Sequence, residues 1–113
     1  MILGIPKEIL DNETRVAAIP VTVKQYVSVG FDVKVEAGAG LKSQISDNEY
    51  KEAGAEIVSD AATIFSASDM ILKVNSPTDD EMGMIKDGSS YISFFQTMKE
   101  TSKVIALQKK NVT

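Results

Sequence analysis

Short β-branched runs alternate with amphipathic helical stretches along all 113 residues, and that alternation predicts a doubly wound α/β fold. Two further observations point the same way. The run 69–74 carries a near-continuous Met70-Ile71-Leu72 stretch, as suits a strand buried on both faces of a parallel sheet. Helical stretches open on proline or a capping residue and close on glycine or lysine. The expected architecture is three layers, α/β/α, around a mostly parallel flavodoxin-like (Rossmann-like) sheet with right-handed crossovers. The strand order expected is 2-1-3-4-5.

The elements follow in turn. Residues 2–5 form the first strand. Pro20 opens a helix whose Val23, Tyr26 and Val27 follow the i, i+3, i+4 rule, and Gly30 ends it. The second strand is 32–36. Ser46 and Glu49 have capping-box spacing, and Gly54 closes that short helix. The third strand is 56–58, and 60–67 is helical with Ala61, Ile64 and Phe65 on one face. After the fourth strand, Thr78 and Glu81 form a second capping box, and Lys86 and Gly88 close the helix. Strand five covers 90–95. Thr97 and Glu100 open the last helix, which Lys109, Lys110 and Asn111 end. Val112-Thr113 reads as the start of a sixth strand, so 1–113 is expected to be an incomplete N-terminal domain.

Composition narrows the chemistry. Hydrophobic residues make up 43% and charged residues 25%, with a net charge of -4. The scattered basic residues and the acidic balance argue against nucleic acid as a partner. No Cys and no His are present, so any acid–base chemistry falls to Lys, Asp, Glu or Tyr, and no metal is expected. Residues 1–5 are a strand and lack the pattern of a signal peptide, and no run is long enough to span a bilayer.

In open parallel sheets ligands bind outside the carboxyl ends of the strands. Residues following those ends include Arg15, Lys73, Asn75 and Gln96, which are the ligand-edge candidates. Arg15 and Lys73 could hold a carboxylate or phosphate. Ion pairing for Arg15 and an exposed ammonium on an apolar stem for Lys73 are the commoner alternatives. Gly38-Ala39-Gly40 lacks the third small residue of a dinucleotide fingerprint, since Ser43 stands there, and reads as a tight loop. Asp79-Asp80-Glu81 sits in the first turn of a helix and complements its dipole. Met70, Met82, Met84 and Met98 read as core filler.

Several blocks, in order, resemble one family. Gly4-Ile5-Pro6-Lys7-Glu8, Asn12-Glu13-Thr14-Arg15-Val16-Ala17, Glu36-Ala37-Gly38-Ala39-Gly40, Ala53-Gly54-Ala55-Glu56-Ile57 and Ile71-Leu72-Lys73-Val74-Asn75-Ser76-Pro77 are similar to the opening of the alanine dehydrogenase and pyridine-nucleotide transhydrogenase group. The resemblance implies a second, Rossmann domain carrying the main NAD site outside this chain. It also implies that Arg15 and Lys73 match the oxo-acid ligands of the dehydrogenases, while Gln96 stands where those enzymes have a His. An amide cannot trade protons near neutral pH, so the transhydrogenase alpha branch is the better match. That branch implies hydride transfer between NAD(H) and NADP(H), the latter on a partner domain, coupled to proton translocation. The partners implied are the second domain of the same subunit, a beta subunit with a membrane domain, and a second alpha copy as homodimer. The setting implied is the cytoplasmic side of a bacterial inner membrane, or the mitochondrial matrix. An alanine dehydrogenase-like fragment and a free-standing carboxylate-binding module are the alternatives.

Overall fold

The computed structural model describes residues 1–94 and 101–113. Five strands, β1 (Ile2–Ile5), β2 (Asp32–Glu36), β3 (Glu56–Val58), β4 (Met70–Leu72) and β5 (Ser90–Ile92), alternate with α1 (Pro20–Ser28), α2 (Asp47–Glu52), α3 (Ala61–Ala67), α4 (Asp79–Met84) and α5 (Thr101–Lys109). A 3-10 turn at Leu41–Ser43 precedes α2. All four strand pairings are parallel.

Leu3, Ile5, Val33 and Val35 face α1 and α2 across one core cluster, which Tyr50 completes. Ile64, Phe65, Ile71, Ile85, Tyr91 and Leu107 build the second cluster beneath α3, α4 and α5. The strand period of two thus sends alternate residues of each strand into different cores. Met70 and Leu72 pack against the first cluster while Ile71 belongs to the second, so β4 is covered on both faces. Met82 and Met84 are partly buried against the second cluster.

The strand order is 3-2-1-4-5, which corrects the order 2-1-3-4-5 expected from the sequence. Two residues explain the difference. Glu56 opens β3, is exposed, and pairs with Lys34 of β2 at 2.7 Å, which suits an edge strand and not one between β1 and β4. Gly4 lets α3 cross over β1, because a Cβ there would lie 2.1 Å from Ser68 Oγ and 3.0 Å from Ile64 Cγ2. β4 therefore lies directly against β1, with Gly4 opposite Ile71. Thr113 continues the sheet past β5: its amide donates to Ser89 O and its carbonyl accepts from Tyr91 N.

Helix ends follow the sequence signals closely. Ser46 and Glu49 form a reciprocal capping box, as do Thr78 and Glu81, and Asp60 caps Thr63 N at 2.8 Å. Helix α4 is shorter than expected, ending at Met84. Lys110 Nζ donates to Met82 O and Ile85 O, satisfying carbonyls that the helix leaves open. β4 and β5 are also shorter than the runs 69–74 and 90–95. The expected capping box of Thr97 and Glu100, together with Met98 and Gln96, lies outside the described residues.

Candidate functional site

The β1–α1 loop, residues 6–19, has no regular structure, yet it is pinned at several points. Lys7 N donates to Glu36 Oε1 at 2.9 Å, and Tyr50 OH donates to Ala18 O at 2.7 Å. Ser43 Oγ donates to Thr14 O. A long loop held this firmly over the carboxyl ends of strands is the usual setting of a functional surface.

At the centre lies Glu8, 3% exposed. Its Oε2 accepts Val74 N at 2.9 Å, and its Oε1 accepts Asn75 N and Asn75 Nδ2, both at 3.2 Å. One carboxylate from the loop after β1 therefore holds the loop after β4. These strands are neighbours at the point where the sheet reverses its order, the usual ligand crevice of such folds.

Lys73 is buried beside Glu8. Its Nζ donates to both oxygens of Glu81, at 2.8 and 2.9 Å, and lies 3.7 Å from Glu8 Oε1. Glu81 Oε1 also accepts Thr78 N, so one carboxylate caps α4 and neutralises the buried ammonium. Exposure of the Lys73 ammonium, one of the two readings of this residue, is ruled out by its side-chain accessibility of 0%.

Arg15 is paired locally. Its Nε and Nη2 donate to the two oxygens of Glu13 at 2.9 and 2.8 Å, and its backbone amide donates to Glu13 as well. Glu13 Oε1 also accepts Asn75 Nδ2 at 3.0 Å. Hydrogen bonds from the Arg15 side chain, then from its backbone and from Asn75, hold the Glu13 carboxyl down at about 2. The Glu13 carboxylate in turn raises the guanidinium further. Arg15, Asn75 and Lys73 are thus joined on one edge through Glu13 and Glu8. Gln96 lies outside the described residues.

Sequence reasoning missed Glu8, Glu13 and Glu81 as members of this network. The signal for Glu81 was present, since the capping box fixed its backbone within reach of the end of the fourth strand. Glu8 carried no local signal, because its partners are more than sixty residues away, whereas Glu13 lies two residues from Arg15, whose ion pairing was one of the sequence readings.

Two features test the crevice for a dinucleotide. The Gly38 amide, at φ +80°, donates to Asp47 Oδ1 at 2.9 Å, and a Cβ on Gly40 would lie 2.8 Å from Tyr50. That loop is a packed turn. The amides of Val74 and Asn75 are occupied by Glu8, and Glu36 at the end of β2 is turned onto Lys7 N. A pyrophosphate needs free N–H donors. The donors at these two places are taken by the chain's own carboxylates, and a pyrophosphate does not fit there. Among the described residues no group of three or more Asp or Glu side chains is placed to hold a metal ion, and no helix is long and apolar enough to cross a membrane.

A parallel sheet in the order 3-2-1-4-5, with a carboxylate-held crevice between β1 and β4, defines a three-layer α/β/α domain of the Rossmann/flavodoxin-like kind. Residues 4–113 match the family described as "Alanine dehydrogenase/PNT, N-terminal domain", and the chain belongs to it. It is 46% identical over 114 residues to NAD(P) transhydrogenase subunit alpha of Haemophilus influenzae, covering 99% of this chain and 22% of that protein. It is 41% identical over 113 residues to alanine dehydrogenase of Methanococcus maripaludis, covering all of this chain and 30% of that one. The crystal structure of a transhydrogenase from Sinorhizobium meliloti superposes with a TM-score of 0.92 at 38% identity, over 99% of this chain and 32% of that one. The chain spans between a fifth and a third of the length of these relatives.

Proposed function

We propose that the chain is the N-terminal part of an NAD(P) transhydrogenase alpha subunit and supports hydride transfer between NAD(H) and NADP(H) coupled to proton translocation. The observation that carries the reading is the 46% identity to a transhydrogenase alpha subunit across 99% of the chain. Gln96, where the dehydrogenases have a His, and the absence of any His from the chain support it. Hydride transfer requires two nicotinamides brought together in a dry site and no protein acid or base.

On this reading residues 1–113 are an incomplete first domain. The adenosine and pyrophosphate of NAD(H) belong to a second domain of the same subunit, as the filled crevice favours. NADP(H) sits on a beta-subunit partner, and the subunit works as a homodimer on the cytoplasmic face of a bacterial inner membrane. The role of this domain is to wall the nicotinamide side of the site. The 41% identity to an alanine dehydrogenase favours the second reading, an amino-acid dehydrogenase in which Arg15 and Lys73 hold an oxo acid.

The experiment is a paired assay of the subunit containing this chain: NADH with thio-NADP⁺ in the assembled complex, and alanine with NAD⁺. Transhydrogenation without alanine oxidation is the expected result. Robust alanine oxidation would reverse the choice.

A further inference from the structure

Segment 8–13 of the β1–α1 loop hangs between two anchors on the β2 side of the sheet. Just before it, Lys7 N donates to Glu36 at the end of β2. Just after it, Thr14 O accepts Ser43 Oγ from the 3-10 turn that follows β2. Both end residues of the segment reach the other way, to the loop after β4. Glu8 accepts Val74 N and Asn75 N, and Glu13 accepts Asn75 Nδ2. Between them the chain turns at Asn12, φ +66°, with Glu13 N donating to Leu10 O at 3.2 Å. Residues 9–12 of this tip are exposed, so burial does not hold the tip in place. Its position depends on the polar ties at its two ends.

Those two ends meet in one side chain. Asn75 Nδ2 donates to Glu8 Oε1 at 3.2 Å and to Glu13 Oε1 at 3.0 Å, one amide nitrogen with two protons shared between two carboxylates. Ionised carboxylates only accept hydrogen bonds, so Glu8 and Glu13 cannot bond to each other, and like charges repel. They stand on either side of Asn75 because it donates to both. Asn75 is in turn rooted in the other half of the molecule. Its carbonyl accepts Tyr91 OH at 3.1 Å, and Tyr91 belongs to the second core cluster.

We infer that segment 8–13 is a strap across the crevice between β1 and β4, buckled by the Asn75 side chain, so that its two ends hold or release the loop after β4 together. Glu8, Glu13 and Asn75 are positioning residues in this device. The two loops that flank the crevice then move as one body. The inference concerns how the crevice opens, and it holds for either enzyme reading above because it names no ligand.

The test is hydrogen exchange by NMR on the isotope-labelled 113-residue chain, with amides inside β1 and β2 as the internal reference for overall stability. In the unchanged chain both Asn75 side-chain protons should exchange at least ~10-fold more slowly than those of the exposed Asn12, as bonds to charged acceptors imply. Glu13 makes no bond to Val74. Glu13→Gln should nevertheless speed exchange of the Val74 amide at least ~2-fold, the lower end of coupling between side chains that share a partner. In an Asn75→Ala chain the same Glu13→Gln change should leave Val74 exchange where it was. Coupling is reciprocal, so Glu8→Gln should speed exchange of the Arg15 Nε proton, which Glu13 holds at 2.9 Å. Val74 exchange that ignores Glu13→Gln, or responds equally with and without Asn75, would overturn the strap. So would an Asn75 side-chain proton that exchanges as fast as those of Asn12.

Discussion

Lys73 Nζ sits between the two carboxylate oxygens of Glu81, at 2.8 and 2.9 Å, and Glu81 is also the residue that closes the capping box of α4. A helix-capping carboxylate has been taken into the core as the counter-charge of a strand lysine. Removing one partner of a buried pair leaves an uncompensated charge, at a cost of about 3–5 kcal/mol. Glu81→Ala should therefore unfold at much lower urea than the unchanged chain. Lys73→Met combined with Glu81→Gln should lose clearly less than the sum of Lys73→Met and Glu81→Gln made singly, because the double change removes the Lys73–Glu81 pair as a unit. Additive losses in the urea midpoints would show that the two side chains act independently.

Gly4 gives a steric prediction. A methyl group there would meet Ser68 Oγ at 2.1 Å and Ser68 Cβ at 2.9 Å, and both belong to the end of the α3 crossover. Gly4→Ala should cost ~1–3 kcal/mol, as overpacking typically does. Ser68→Gly in the same chain should recover part of that loss. Thermal unfolding of the two variants decides it, and an unperturbed Gly4→Ala would mean that α3 does not press on β1.

Acid sensitivity follows from Glu13. Its carboxyl is held at about 2 in the folded chain, chiefly by the Arg15 side chain, below the ordinary carboxylate value. The folded value is depressed, so its stabilisation is present above the ordinary carboxylate range and fades as pH falls toward 2. Asp60 and Asp69 are lowered in the same direction by the amides of Thr63 and Ile2. Unfolding followed from pH 7 to 2.5 should show Glu13→Gln losing less stability over that interval than the unchanged chain. Parallel curves would contradict the Arg15–Glu13 clamp.

Glu36 has the opposite sign. Burial raises its carboxyl above the ordinary value, against the lowering effect of Lys7 N. A raised carboxyl binds its proton more tightly when folded, so stability falls as pH rises through the interval between the unfolded and folded values. Glu36→Gln keeps an acceptor for Lys7 N and removes the buried charge. It should stabilise the chain at neutral pH and have little effect well below pH 4, read from urea midpoints at the two pH values. Destabilisation at neutral pH would show that the charge itself is needed there.

The layers, the strand and helix types and most helix starts were legible because they depend on local pattern. Pro20 announces a helix through its fixed φ, and Ser46, Glu49, Thr78 and Glu81 do so through side chains that bond backbone amides within a turn. Strand order was not legible in that way. It depends on where α3 crosses, and only Gly4 and Glu56 carried the hint, one by lacking a side chain and the other by a charge suited to an edge. Arg15, Lys73 and Asn75 follow the carboxyl ends of β1 and β4, as the order of elements in the sequence indicated. The long-range bonds were hidden, since Glu8 and Glu13 reach Val74 and Asn75 across more than sixty residues of sequence.

The crevice of this chain is filled by its own carboxylates, and under the proposed function the pyrophosphate of the bound nucleotide is held elsewhere. Calorimetric titration of NADH into residues 1–113 tests that most directly. The predicted result is no saturable heat up to ~1 mM nucleotide, a binding free energy weaker than about 4 kcal/mol. Micromolar affinity, with chemical-shift changes at Gly38 to Gly40 or at Val74 and Asn75 amides, would mean that Asp47 or Glu8 yields its place to phosphate, and would contradict it.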